Sequence, residues 1–160
     1  MLHRRKLLAG SALAIAAVLA TAAIAIASSR PELTAPRTVH VESVGGHVAI
    51  LQLNQQKRTL FGDQFVISAH LFNAAGTERR GHLHGVCTFM DKAGVASDCA
   101  ITLFLHQGEV LVRGLVDFNT VNHTTGAVLG GSGMYRNARG QVTFVNSTGD
   151  TEGFILHLEP

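Results

Sequence analysis

Nine histidines, two cysteines and 11 carboxylates are the groups in this 160-residue chain with the most chemical reach. Five of the histidines, His70, His82, His84, His106 and His157, fall in runs where apolar and polar residues alternate. His82-x-His84 sets two imidazoles on one face of a strand, a spacing that suits a metal ion. Thr88 stands where a carboxylate ligand would have to follow, and strand parity puts both imidazoles opposite Leu83, Cys87 and Phe89. Outward-facing histidines and no metal are therefore expected. Asp117, after Gly114-Leu115-Val116, is either an acid inside a pocket or an ordinary strand-end carboxylate. In an apolar interior its pKa would rise, and it could donate a proton near neutral pH. Tyr135, Arg136 and Arg139 lie in a glycine-rich segment. Arg139 either holds turn carbonyls with its fork of donors or, together with Tyr135, meets a polar group of a ligand. No G-x-S-x-G, P-loop, H-E-x-x-H or Ser-His-Asp order is present, and no cofactor is expected.

The cysteines pair by position. Cys87 and Cys99 flank a turn near Asp91–Val95, and symmetric pairing about residue 93 sets them directly opposite each other. Leu83, Cys87 and Phe89 share one face, and Cys99, Ile101, Leu103 and Leu105 share the face across from it. Both sulfurs then point into one apolar interior, as a disulfide requires.

The elements that must position these groups are strands. Alternation at period two recurs, and long helical periodicity does not. Runs at Val39–Val44, His47–Asn54, Gln64–Phe72, Gly81–Met90, Ala96–His106, Val110–Phe118, Ala127–Leu129, Gln141–Asn146 and Gly153–Leu158 read as strands. Turn signals separate them, among them Gly45-Gly46, Gly62-Asp63, Asn73-Ala74-Ala75-Gly76 and Gln107-Gly108. Such a series predicts an all-β fold, either a closed antiparallel barrel or a sandwich. Small residues at Ala49, Ala69, Gly85 and Ala100 are candidates for a roomy interior.

The first 27 residues are set apart from that fold. His3-Arg4-Arg5-Lys6 is followed by an uncharged apolar run to Ala27 that ends in Ala25-Ile26-Ala27. This is the pattern of an export signal by the Sec or twin-arginine route, with an uncleaved anchor as the alternative. Pro31, Pro36 and polar neighbours make residues 28–38 a linker, and 39–160 the domain. An extracytoplasmic location follows, without stable membrane insertion once the signal is cleaved. Removing Arg4, Arg5 and Lys6 from 13 basic residues leaves 10 against 11 acidic ones. The domain is then nearly neutral and lacks the charge stripe and aromatic platform that nucleic acid needs.

The most specific segment is Gly130-Gly131-Ser132-Gly133-Met134-Tyr135-Arg136-Asn137-Ala138-Arg139-Gly140. It resembles the G-G-[ST]-G-x-[FY]-x-x-A-R-G signature of plant dirigent proteins and the matching segment of allene oxide cyclases. Gly85-Val86-Cys87-Thr88 and Gly108-Glu109-Val110-Leu111-Val112-Arg113-Gly114 are similar to further elements of those families. The resemblance spans about His47 to Leu158. It implies an eight-stranded closed barrel that acts on small, hydrophobic, oxygenated molecules, and a homotrimer of such barrels. It also implies that Leu51-Gln52-Leu53-Asn54-Gln55 matches the cyclase strand that carries a glutamate and, two residues on, an asparagine. Asn54 agrees; Gln52 replaces the glutamate, and an amide cannot supply a carboxylate's field. The pocket tyrosine expected after the glycine-bounded strand is missing too, so allene oxide cyclase activity itself is not expected. The resemblance thus implies an isomerase-like or dirigent-like protein that guides cyclisation or coupling, with Gln52, Asn54 and Asp117 as reacting-centre residues. A non-catalytic, lipocalin-like carrier of a hydrophobic ligand is the alternative.

Overall fold

Period-two alternation is carried by eight strands. The computed structural model describes residues 32–53, 60–120, 124–146 and 151–160. The strands are β1 (Arg37–Leu51), β2 (Gln64–Asn73), β3 (Arg79–Phe89), β4 (Ala96–Leu105), β5 (Gly108–Asp117), β6 (Thr124–Gly131), β7 (Arg139–Asn146) and β8 (Glu152–Glu159). Each pairs antiparallel with the next, and β1 pairs with β8, so the sheet closes into a barrel. The expected signal segment, residues 1–27, lies outside the described residues. Among the described residues no helix is long and apolar enough to cross a membrane.

Nine sequence runs condense into eight strands because the first two are one. Gly45-Gly46, expected as a turn, is instead a bulge inside β1: Val44 pairs with His70, whereas His47 pairs with Ser68. Gly45 takes a φ of 69°, which a side chain would resist. The extra residue reverses the facing of the strand. Before it Val41 and Ser43 point inward; after it Gly46 and Val48 sit opposite the inward side of β2. Pairing of β1 with β8 covers only Arg37–Ser43, so beyond Ser43 the ladder continues on the β2 side alone.

Inward positions of all eight strands make one core. Leu71, Leu83, Leu103, Val110, Val112, Val142, Phe154, Leu156 and Leu158 are almost wholly buried. Cys87 pairs with Cys99 across β3 and β4, and the two form a disulfide. His82 and His84 face outward as expected, packing around the ring of Phe104. Ala69 and Gly85 face the interior, but Ala49 and Ala100 are exposed, because each occupies an outward parity position of its strand.

The glycine-rich signature closes one end of the cylinder. Ser132 N–H donates to the carbonyl of Glu109 (3.0 Å) and Met134 N–H to that of Gln107 (2.8 Å). A Cβ on Gly108 would stand 2.1 Å from the carbonyl oxygen of Ser132, and one on Gly131 2.2 Å from that of Glu109. Two backbones therefore touch where no side chain fits. The short 3-10 helix Gly133–Tyr135 follows and lays Tyr135 and Ala138 over the end of the core. The chain before β1 docks here too: Leu33 N–H donates to the carbonyl of Met134 (3.0 Å), and the Glu32 carboxylate accepts from Arg136 (3.1 Å) and Asn137 (2.8 Å).

Replacing both Cys87 and Cys99 by serine removes a short-loop cross-link, with an expected loss of about 2–3 kcal/mol in urea unfolding. The unreduced parent protein should show no free thiol and a mass lower by two hydrogens than the reduced form.

Candidate functional site

The interior is packed at one end and open at the other. Leu71, Leu103, Val110, Leu156 and Leu158 fill the half above the glycine-rich floor. The opposite half holds a cavity of about 740 Å³, a size that suits a small organic ligand. Its walls are apolar: Phe65, Ile67 and Ala69 on β2, Leu83 and Cys87 on β3, Cys99 and Ile101 on β4, Val116 on β5 and Phe144 on β7. Phe65 also packs against Phe89 and Phe118, with ring centroids at 5.0 and 6.2 Å, making an aromatic lip. The disulfide is part of the wall, so sulfur faces whatever occupies the space.

Polar groups gather on one side, where β1 leaves β8. They are Ser43, His47, Ser68, Thr151 and Glu152. Glu152 is the first residue of β8 and shares the inward face with Phe154, Leu156 and Leu158. Ser43 holds its backbone from both sides: the Ser43 hydroxyl donates to the Glu152 carbonyl (3.0 Å) and accepts from the Glu152 N–H (3.2 Å). Glu152 lines the cavity. The residue keeps an exposed surface, and desolvation by the protein packed around it pushes its pKa above the ordinary 4.5. A carboxyl in this setting can donate a hydrogen bond or a proton to a ligand oxygen.

The sequence-expected residues are distributed differently. Gln52 is exposed, one position beyond β1 at the open end, and is not in the cavity wall. Asn54 lies outside the described residues. Asp117 ends β5 at the open end, but Val116 takes the inward position; Asp117 Oδ1 instead accepts from the N–H of Asn119 (2.8 Å) and shapes the turn. Arg139 is exposed at the start of β7, and Tyr135 is buried in the floor, both at the end away from the cavity mouth. Glu152 was missed because the last run was begun at Gly153; extending its alternation by one residue would have found it. Among the described residues no group of three or more His, Cys, Asp and Glu side chains is gathered to hold a metal.

Two further features tune the open end. Asp63, buried before β2, accepts from the N–H of Leu53 (2.9 Å) and so ties the segment carrying Gln52 to the barrel. Ser97, inward on β4 two residues before Cys99, is wholly buried, and among the described residues its hydroxyl has no partner.

The sequence matches no protein-family model and no curated protein. Solved structures do match. One is a pyocyanin demethylase, 25% identical, with a TM-score of 0.61 over 78% of this chain and 99% of that one. Another is a pterocarpan synthase dirigent protein, 14% identical, with a TM-score of 0.59 over 81% of this chain and 90% of that one. A third is a Diels-Alderase from Streptomyces koyangensis, 18% identical, with a TM-score of 0.56 over 98% of this chain and 84% of that one. The last two share the barrel fold.

Because the folded pKa of Glu152 lies above its unfolded value, the stability it contributes is complete below the unfolded pKa and falls as pH rises through the folded one. Glu152→Gln should therefore match the parent in thermal unfolding at pH 4 and exceed it at pH 8. Ser97→Ala, which removes an unpartnered buried hydroxyl, should be neutral or stabilise by about 1 kcal/mol in urea unfolding.

Proposed function

We propose that the barrel binds a small, hydrophobic, oxygenated molecule and guides its cyclisation or coupling along one stereochemical course. The observation that carries this reading is an apolar cavity of about 740 Å³ whose lining, among the described residues, includes one acidic residue, Glu152, at an inward parity position of β8. The apolar walls select a compact conformer of the ligand, and holding two reacting centres together can supply several kcal/mol of a barrier without a nucleophile. Glu152, whose pKa is raised by desolvation, donates in its protonated form to a carbonyl or ether oxygen of the ligand and draws electron density from the carbon that is attacked. Gln52, exposed at the open end, and Asn54 are proposed as hydrogen-bond partners of a ligand oxygen or water. Asp117 acts as a turn residue here rather than as an acid. The solved neighbours support the class of chemistry: they are named for a demethylation of pyocyanin, a dirigent synthesis and a Diels-Alder reaction, all on small molecules.

The disulfide in the cavity wall supports an extracytoplasmic setting, where such a bond persists. Exposed Val86, Leu111, Leu115 and Leu129 on the outer faces of β3, β5 and β6 support a homotrimer, which light scattering would read directly.

Native mass spectrometry of the full chain for a retained ligand, paired with turnover on a panel of oxygenated dienes and phenolic coupling substrates, tests the reading. Ala69→Phe fills the cavity from β2 and should abolish both retention and turnover. Glu152→Gln should keep retention and lower turnover by about a hundredfold, the usual scale for a lost general acid. Retention with no conversion in the parent would make the protein a carrier. If Ala69→Phe changes nothing, the cavity is not the site.

A further inference from the structure

The closed end of the barrel carries a second recess that shares no wall residue with the cavity. It has a volume of about 330 Å³ and lies against Arg37–Val41 of β1, Asn73, Arg80, the turn Leu105–Gln107 and Tyr135. On this stretch β1 has no β2 partner, since their pairing begins at Val41 with Asn73. Arg80 is brought here by a bulge: Leu71 pairs with Gly81 and Phe72 with Arg79, which leaves Arg80 as the extra residue. Gly81 permits the close approach this needs, since a Cβ there would fall 1.8 Å from the carbonyl oxygen of Phe104.

The charges are one-sided. Arg37, Arg80, His40 and His106 line the recess, and no carboxylate does. Glu78 holds Arg80 from outside at 3.0 Å, and Glu42 lies 3.9 Å from His40. Among the described residues the Arg37 side chain donates to the sulfur of Met134, at 3.4 Å, a weak acceptor. Tyr135 forms the floor with 3% of its surface exposed. Its ring is buried, and the residue borders the recess. Burial raises the pKa of this phenol, and the nearby charges of Arg37 and Arg80 pull it back.

We infer that the recess binds a small oxyanion, a carboxylate or a phosphate, held between the guanidinium groups of Arg37 and Arg80 with the Tyr135 hydroxyl donating to it. Two guanidinium forks and one neutral donor match the acceptor oxygens of such a group. This site is independent of the cavity and of the reading of its function.

Tyr135 is the only tyrosine of the chain, and there is no tryptophan, so tyrosine emission reports this recess alone. Inorganic phosphate and succinate are titrated separately into the full chain at constant ionic strength, with sodium chloride as control. A saturable change in emission with phosphate or with succinate, and none with chloride, is expected. Saturation by phosphate alone marks a phosphate site, and saturation by succinate alone a carboxylate site. Arg37→Gln and Arg80→Gln should each weaken binding about tenfold or more, as loss of a charge-assisted contact does. Glu78→Gln, which frees Arg80, should tighten it, and Glu152→Gln should leave it unchanged. All these positions are exposed, so folding is kept, and far-ultraviolet circular dichroism confirms it for each variant. A linear response, an equal response to chloride, or binding that survives both arginine replacements would overturn the assignment.

Discussion

The pairing of the first strand with the last is the constraint on which the rest of the structure depends. Arg37–Ser43 against Leu158–Glu152 converts a meander of hairpins into a cylinder and gives it an inside. Its length matters as much as its existence. The ladder stops at Ser43 and Glu152, where β1 bulges at Gly45-Gly46 and continues with β2 alone. A full-length seam would have carried the wall past the point where the cavity now opens. The same residue pair that ends the seam, Ser43 and Glu152, forms the polar side of the cavity, so closure and site are built from one contact.

The two ends of the cylinder are made differently. At the floor, backbone meets backbone: Gly108, Gly131 and Gly133 lie where any side chain would strike a carbonyl oxygen, and the 3-10 helix that follows places Tyr135 over the core. At the mouth, the rings of Phe65, Phe89 and Phe118 pack together, backbone bonds join Gly62 to Phe89 and Phe118 to Val95, and the Asp63 carboxylate secures the segment after β1.

Much of this was legible in the chain, and the exceptions have identifiable causes. Alternation and hairpin-length connections predict an all-β fold with barrel or sandwich left open, and the dirigent-like signature decides for the barrel. Parity about residue 93 brings Cys87 opposite Cys99. Gly45-Gly46 misled because a bulge and a turn use the same residue type, and only the partner strand distinguishes them. Treating the two halves of β1 as separate strands also hid the reversal of facing. Asp117 could be placed by parity, since Val116 follows the inward alternation of Val110 and Val112 and its neighbour must face away. Glu152 escaped because an acid at a strand start looks like the end of a loop; its inward facing appears only when alternation is carried back from Phe154. The close contacts of Gly130–Gly140 are with the β4–β5 turn, a long-range neighbour that sequence alone does not reveal.

The sulfur bridge between β3 and β4 has a consequence beyond fastening two strands. Because Cys87 and Cys99 face the cavity, their oxidation state decides what an incoming electrophile meets. An unsaturated carbonyl compound entering a reduced chain would encounter two thiols and could be trapped by conjugate addition; entering the oxidised chain, it finds no free nucleophilic sulfur in that pair. The bond thus passivates the chamber toward electrophiles, a property set by its oxidation and not by its shape.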